Sequence, residues 1–147
     1  MRFLGFLFST LLFTALPAAH AELKLADIFT DGAVLQRNQE VPVWGTDRPG
    51  AKISVTFDSH TLTANADDQG QWQIRLPSMK ANAEPQTLTV TSSSNADGTS
   101  IERENILVGE VWLCSGQSTM AMAVSRASDS KTELSTAALH TLRVFSV

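Results

Sequence analysis

The sequence predicts two consecutive units. The first is an antiparallel β-sandwich of jelly-roll or immunoglobulin-like type over residues 22–105. The second is the first β-α-β portion of an α/β domain over residues 106–147. Three observations predict this. Between Leu23 and Glu104, short runs alternate apolar and polar residues, with turn residues about every ten positions, as half-buried antiparallel strands do. From Ile106 the alternation gives way to a nearly continuous apolar run, which suits a strand buried on both faces of a parallel sheet. A small-residue turn, a helix-capping pattern and another apolar run then follow in that order.

Residues 1–21 stand outside both units. Arg2 is followed by an apolar stretch from Phe3 to Leu16, and Ala19-His20-Ala21 places small residues at the two positions a signal peptidase reads. This is the pattern of a cleaved secretory signal peptide, with the mature chain beginning at Glu22. The stretch is shorter than the roughly 20 residues of a membrane span, so no stable membrane anchor is expected. The protein is expected to be secreted or periplasmic.

Within the sandwich, Val41-Pro42-Val43-Trp44-Gly45 is the first clear run. Lys52–Phe57 follows, with Ile53, Val55 and Phe57 on one face. Asp58-Ser59 turns the chain into His60–Ala64. Asp67-Asp68-Gln69-Gly70 is the next turn, and Gln71–Leu76 alternates again. Gln86–Thr91 is a further strand, closed by a turn at Asn95-Ala96-Asp97-Gly98. Trp44, Phe57 and Trp72 are expected to anchor the core, because aromatic residues on alternating runs are usually inward; exposed sugar-stacking rings are the alternative.

In the second unit the buried strand spans Ile106 to Cys114, and Ser115-Gly116-Gln117-Ser118 turns out of it. Ser130-Lys131-Thr132-Glu133 has the S-x-x-E form of a capping box. Leu134, Ala137 and Ala138 fall at helical spacing behind it, and Leu142–Val147 reads as a second strand. Two such strands and one helix leave apolar faces and edges uncovered. The chain therefore reads as the amino-terminal piece of a longer protein; the alternative is a tail folded back on the sandwich as extra strands.

Composition narrows the function. The chain is 43% apolar and 18% charged, as soluble globular proteins are. Acidic residues outnumber basic ones 15 to 11, and loss of Arg2 with the signal leaves 10. With no Lys/Arg run, nucleic acid is not an expected partner. Cys114 is the single cysteine and cannot form an intrachain bridge. Within an apolar run it is expected to be a small buried hydrophobe.

The residue that carries chemistry is Ser118. A serine in a tight glycine turn after a buried strand is projected beyond the sheet edge. A helix opening there offers N–H groups and a positive dipole end to a developing oxyanion. Gly116-Gln117-Ser118 fits this, although Met120 stands where a G-x-S-x-G elbow has its last glycine. A helix N-cap is the other role open to Ser118.

The run Gly109-Glu110-Val111-Trp112-Leu113-Cys114-Ser115-Gly116-Gln117-Ser118-Thr119-Met120 resembles the nucleophile block of the sialate O-acetylesterase family, GEVW-x-CSGQSNM. That family belongs to the SGNH (GDSL-like) hydrolases. Phe29–Arg37 resembles its F-S-D-x-M-V-L-Q-R opening. Val41–Gly45, Gly70-Gln71-Trp72 and Leu142–Phe145 resemble later landmarks. Thr119 departs from the family's asparagine. The resemblance covers residues 23–147 and implies that residues 106–147 begin an SGNH-type hydrolase domain.

It also implies a mechanism. Ser118 attacks the carbonyl of an O-acetyl ester on a sugar, a histidine takes its proton, and an aspartate three residues before that histidine orients it. The Ser118 N–H joins a glycine N–H and an asparagine side chain in the oxyanion hole. No metal or other cofactor is needed. The implied substrate is O-acetylated sialic acid or another acetylated glycan. For a substrate carboxylate the arginines at 37, 48, 75, 103, 126 and 143 are candidates. No D-x-x-H occurs in the chain. His20 leaves with the signal, His60 lies in the sandwich and His140 at a helix end. The chain by itself is therefore expected to be inactive. The alternative function is a non-catalytic β-sandwich that binds glycans or packs against a partner.

Overall fold

The computed structural model describes residues 22–94 and 100–146. The expected signal peptide and the turn at Asn95–Gly98 lie outside the described residues. Among the described residues eight strands form two sheets: β1 (Lys24–Leu25), β2 (Val34–Gln36), β3 (Val41–Thr46), β4 (Lys52–Phe57), β5 (His60–Asn65), β6 (Gln71–Leu76), β7 (Asn82–Ser92) and β8 (Ser100–Gly109). One sheet has the order β1-β3-β6, the other β2-β8-β7-β4-β5. The second is mixed, because β2 runs parallel to β8 while its other pairs are antiparallel.

Alternation explains the strands that the sequence displays best. In β4, Ile53, Val55 and Phe57 are buried, and in β6 Trp72, Ile74 and Leu76 are. These side chains share one core with Val43, Leu88, Val90, Ile106 and Val108. Burying each such side chain stabilises the fold by about 1.5–3 kcal/mol. The turns follow their residues. Asp58 takes positive φ in the two-residue link between β4 and β5, which matches the twist of paired strands. Asp67 accepts hydrogen bonds from the Gln69 and Gln71 amides and fixes the entry to β6.

Gly45 is required by a close approach. A Cβ there would stand 1.9 Å from the Lys24 carbonyl oxygen and 2.8 Å from the Trp72 ring. Asp47, just after β3, is the buried charged group among the described residues. Burial opposes its ionisation, but hydrogen bonds from the Ser92 and Ser94 hydroxyls and the Arg48 amide outweigh that and hold its pKa below the usual aspartate value. Asp47 thus ties the end of β3 to the end of β7.

Several expectations are corrected. Trp44 is 41% exposed rather than a core anchor. Its neighbour Val43 takes the inward side of the pleat, and Trp44 instead meets Phe29 edge-on, with ring centroids 5.0 Å apart. Phe57 and Trp72 are buried as expected. The strand expected over Ile106–Cys114 ends at Gly109 and belongs to the five-stranded sheet. Ile106, Leu107 and Val108 are all buried, with Leu107 outside the shared core, so the run is covered on both faces. Beyond Gly109, however, no neighbouring strand among the described residues supplies ladder partners. Val111, Trp112, Leu113 and Cys114 are exposed, which overturns the expected buried cysteine.

The expected strand at Leu142–Val147 is likewise not formed over its described residues, so no β-α-β unit is present among the described residues. The helix is real but short: α1 (Ser130–Thr136) buries no residue. Asp129 rather than Ser130 precedes it, its carbonyl accepting from the Glu133 amide at 3.1 Å, so the capping box is not used. Among the described residues no helix is long and apolar enough to cross a membrane.

Candidate active site

The parallel pair β2–β8 places the two most specific sequence blocks side by side. Val34 stands opposite Leu107, Leu35 opposite Val108 and Gln36 opposite Gly109. Both strands end at the same level, so Gln36-Arg37 emerges beside Glu110-Val111. The Arg37 amide donates to the Gly109 carbonyl at 2.9 Å, prolonging the ladder by one residue.

Side chains then fasten the exit. The Gln36 amide nitrogen donates to Glu110 Oε2 at 3.1 Å, and Gln36 Oε1 accepts from the Val111 amide at 2.7 Å. Arg37 Nε pairs with Glu110 Oε1 at 2.5 Å. The hydrogen bonds from Gln36 and Arg37, with the charge of Arg37, hold the Glu110 carboxyl below its usual pKa. One glutamine thus spans both the carboxylate and the backbone of the residues leaving β8. Lower on the same pair, Asp31 Oδ1 accepts from the Glu104 amide and the Gly32 amide donates to the Glu104 carbonyl. Asn105 has positive φ where β8 carries an extra residue against β7. Its side-chain oxygen accepts from Arg143 at 3.2 Å, fastening the tail back to the sheet.

Residues 110–117 lead without regular structure to a 3-10 turn at Ser118–Ala121. The Met120 amide donates to the Gln117 carbonyl at 2.9 Å. A Cβ on Gly116 would lie 2.9 Å from Met120 Cγ, so the turn is tight enough to favour glycine there. Ser118 is exposed, and its hydroxyl makes no hydrogen bond among the described residues. A second 3-10 turn, Val124–Arg126, precedes α1. Ser118 therefore opens a short 3-10 turn; it is not the cap of a long helix.

Among the described residues, no base is hydrogen-bonded to Ser118. No hydrogen bond joins it to His60, at the start of β5, or to His140, which is exposed near the chain's end. Of the arginines considered for a substrate carboxylate, Arg37 is paired with Glu110, Arg103 donates to the Phe29 carbonyl at 2.8 Å, and Arg143 holds Asn105. Sequence reasoning quoted Gln36, Arg37 and Glu110 inside motifs but gave Gln36 and Glu110 no role. The only available signal was that two dense motifs about seventy residues apart were both present; parallel pairing is what unites them.

No family model matches the chain. Curated relatives do. It is 31% identical over 132 residues to a sialate O-acetylesterase of Mus musculus, covering 84% of this chain and 24% of that protein. It is 30% identical over 132 residues to a sialate O-acetylesterase of Homo sapiens, covering 84% of this chain and 25% of that protein. The chain thus spans about a quarter of the length of the curated relatives it matches. Among solved structures, it is similar to a carbohydrate acetylesterase from Xanthomonas citri. That match has a TM-score of 0.68 and 41% identity, over 76% of this chain and 24% of that one.

Proposed function

Because this chain belongs with the sialate O-acetylesterase family, about a quarter of whose length it spans, we propose that it is the amino-terminal part of a secreted or periplasmic carbohydrate O-acetylesterase. In this reading residues 1–21 are a cleaved signal peptide. The two sheets form an accessory sandwich, of jelly-roll or immunoglobulin-like descent, and the segment after β8 opens an SGNH-type hydrolase domain. Ser118 is the nucleophile. Its oxygen attacks the acetyl carbonyl, and its proton passes to a histidine oriented by an aspartate, both on polypeptide that this chain does not contain. The sugar hydroxyl departs, and water releases acetate from the acetyl-serine. The Ser118 N–H is one oxyanion donor. The substrate is an O-acetylated glycan, sialic acid among the candidates.

The observation that carries this reading is the exposed, uncommitted hydroxyl of Ser118 inside the Gly109–Met120 block, at the end of a segment held by Gln36, Arg37 and Glu110. The latch supports it because it holds a segment whose own apolar side chains are exposed. A serine without a base is a poor nucleophile at neutral pH, so the 147-residue chain alone is expected to show no Ser118-dependent turnover of p-nitrophenyl acetate. The coding sequence past Val147 is expected to continue in frame to a D-x-x-H. The product of that whole frame is expected to hydrolyse the ester and to lose about 10⁴-fold or more in kcat in Ser118→Ala. A stop codon after Val147, or full activity in Ser118→Ala, sinks the proposal.

A further inference from the structure

The segment after β8 is fastened to the sheets twice, and both fastenings sit on the β2–β8 pair. At the outgoing end, Gln36 and Arg37 hold the Glu110 carboxylate, and Gln36 Oε1 accepts from the Val111 amide. At the returning end, the Arg143 guanidinium donates to Asn105 Oδ1 at 3.2 Å. Arg143 lies over Gly32, where a Cβ would stand 3.9 Å from its Nε, and that nitrogen is buried. Gly32 is itself bonded to β8, its amide donating to the Glu104 carbonyl. The two fastenings are therefore about 17 Å apart on one strand pair, at roughly 3.3 Å per residue between Asn105 and Glu110. Residues 111–142 leave and rejoin the same edge of the five-stranded sheet, and Ser118 lies between.

The sheet gives up regularity to make the second fastening. Asn105 takes a φ of 57°, a left-handed conformation uncommon for any residue but glycine, where β8 carries its extra residue against β7. A bulge re-aims a side chain, and this one aims Asn105 at Arg143. The excursion has little of its own to hold it. The helix α1 buries no residue, and Trp112, Leu113, Met120 and Met122 are exposed. Fixing both ends of a flexible loop narrows the positions its middle can reach. A reacting oxygen displaced by about 1 Å can cost about a hundredfold in rate. We infer that Gln36 and Asn105 are positioning residues for Ser118, so that the sandwich sets where the nucleophile stands instead of merely accompanying the hydrolase domain. The inference rests on the esterase reading of Ser118 and adds to it two residues from outside the Gly109–Met120 block.

The test uses the product of the full reading frame and p-nitrophenyl acetate. Reactive serine is first counted to completion with a fluorophosphonate, so that kcat is expressed per active molecule and unfolded protein does not enter. Gln36→Ala and Asn105→Gly each cut one fastening, glycine keeping the backbone of residue 105. Each is expected to lower kcat about tenfold or more. KM is expected to stay within about twofold, because neither side chain touches substrate, and Tm within about 3 °C of the parent's. Exchanging the outgoing pair, Gln36→Glu with Glu110→Gln, restores one carboxylate and one amide there and is expected to recover most of the rate. Arg143→Met cuts the returning fastening from the tail side should Asn105→Gly not fold. Unchanged kcat per reactive serine in either folded variant, or no recovery in the exchanged pair, overturns the inference and leaves the esterase reading intact. A Gln36→Ala product that fails to fold also overturns it, since Gln36 would then be a support of the sheet. A parent product without Ser118-dependent turnover sinks the esterase reading, and the inference with it.

Discussion

The two sheets and the tail after Gly109 are both rich in apolar residues, yet they fare differently. In the sheets, Val43, Ile53, Val55, Leu76, Leu88, Val90 and Ile106 are fully buried. In the tail, Val111, Trp112, Leu113, Met120, Met122, Leu142 and Val144 are all at least half exposed. The difference lies in partners rather than in hydrophobicity. Each strand of the sheets finds a neighbour for its backbone and a facing layer for its apolar side. The run Val111–Cys114 finds neither, and α1 at seven residues is below the length at which a helix holds itself together in water. An apolar run states that a segment wants covering; only the rest of the structure says by what.

The comparison predicts that damage to the sheets is global and damage to the tail local. The largest effect is expected from Gly45→Ala. The added methyl would overlap the Lys24 carbonyl, a backbone atom that can yield only if β1 leaves β3. The expected cost is about 3 kcal/mol, or a fall in Tm of about 15 °C for a domain of this size. Thermal unfolding followed by circular dichroism measures it, and a Tm within two or three degrees of the parent would mean that β1 contributes little to the fold.

Asp47→Asn is expected to come next, at about 2 kcal/mol near neutral pH, because a neutral amide replaces a carboxylate that accepts from Ser92, Ser94 and the Arg48 amide. The sign of its pH dependence follows from the lowered pKa. A carboxylate whose folded pKa lies below its unfolded value stabilises fully above the unfolded value, near pH 4. That stabilisation is lost as the pH falls through the folded pKa. Urea titrations at a series of pH values are therefore expected to show the gap between parent and variant closing below about pH 4. A gap of constant size down to pH 2 would show that the hydrogen bonds, not the charge, carry the effect.

How much of this was legible in the sequence depends on the same contrast. Lys52–Phe57 and Gln71–Leu76 were read residue for residue, because strict alternation with turn residues at each end admits one solution. The strand read at Gln86–Thr91 in fact begins at Asn82, hidden by Glu84-Pro85 and by two register shifts. β2 escaped notice because three residues carry no period. The run Ile106–Cys114 reads as one strand buried on both faces, but the strand ends at Gly109 and burial on both faces holds for Ile106–Val108 alone, whose parallel partner is β2 within the sheets and not a strand of a following unit. Ser118 is a candidate on its motif alone. The bonds from Gln36 and Arg37 to Glu110 were not legible, since hydrogen bonds between side chains 74 and 73 residues apart leave no local pattern.

Those bonds mark the border between the two regions, and breaking them sharpens where it lies. Gln36→Ala is expected to leave the stability of the sheets within about 0.5 kcal/mol, as a substitution near the surface. It removes the acceptor of the Val111 amide and one donor to Glu110. Amide hydrogen exchange at Val111 is therefore expected to accelerate about tenfold or more while Leu107 and Val108, inside the ladder, keep their protection. Equal acceleration along all of β8 would place the border inside the strand and make Gln36 part of the sheet's support instead of a clasp on its exit.

The smallest effect belongs to the tail itself. Leu134→Pro removes a donor from the middle of α1 and clashes with the preceding turn, so the seven-residue helix cannot form. In a sheet strand such a change would unfold the protein. Here α1 buries no residue, and Leu134 is 56% exposed. The unfolding midpoint is expected to stay within about 0.5 kcal/mol of the parent's, with a loss of helical signal confined to residues 130–136. The same substitution in the product of the full reading frame is expected to be costly, because there the apolar tail would have something to pack against. A tail that is equally indifferent to proline in both settings would mean that its apolar residues are not waiting for a hydrolase domain at all.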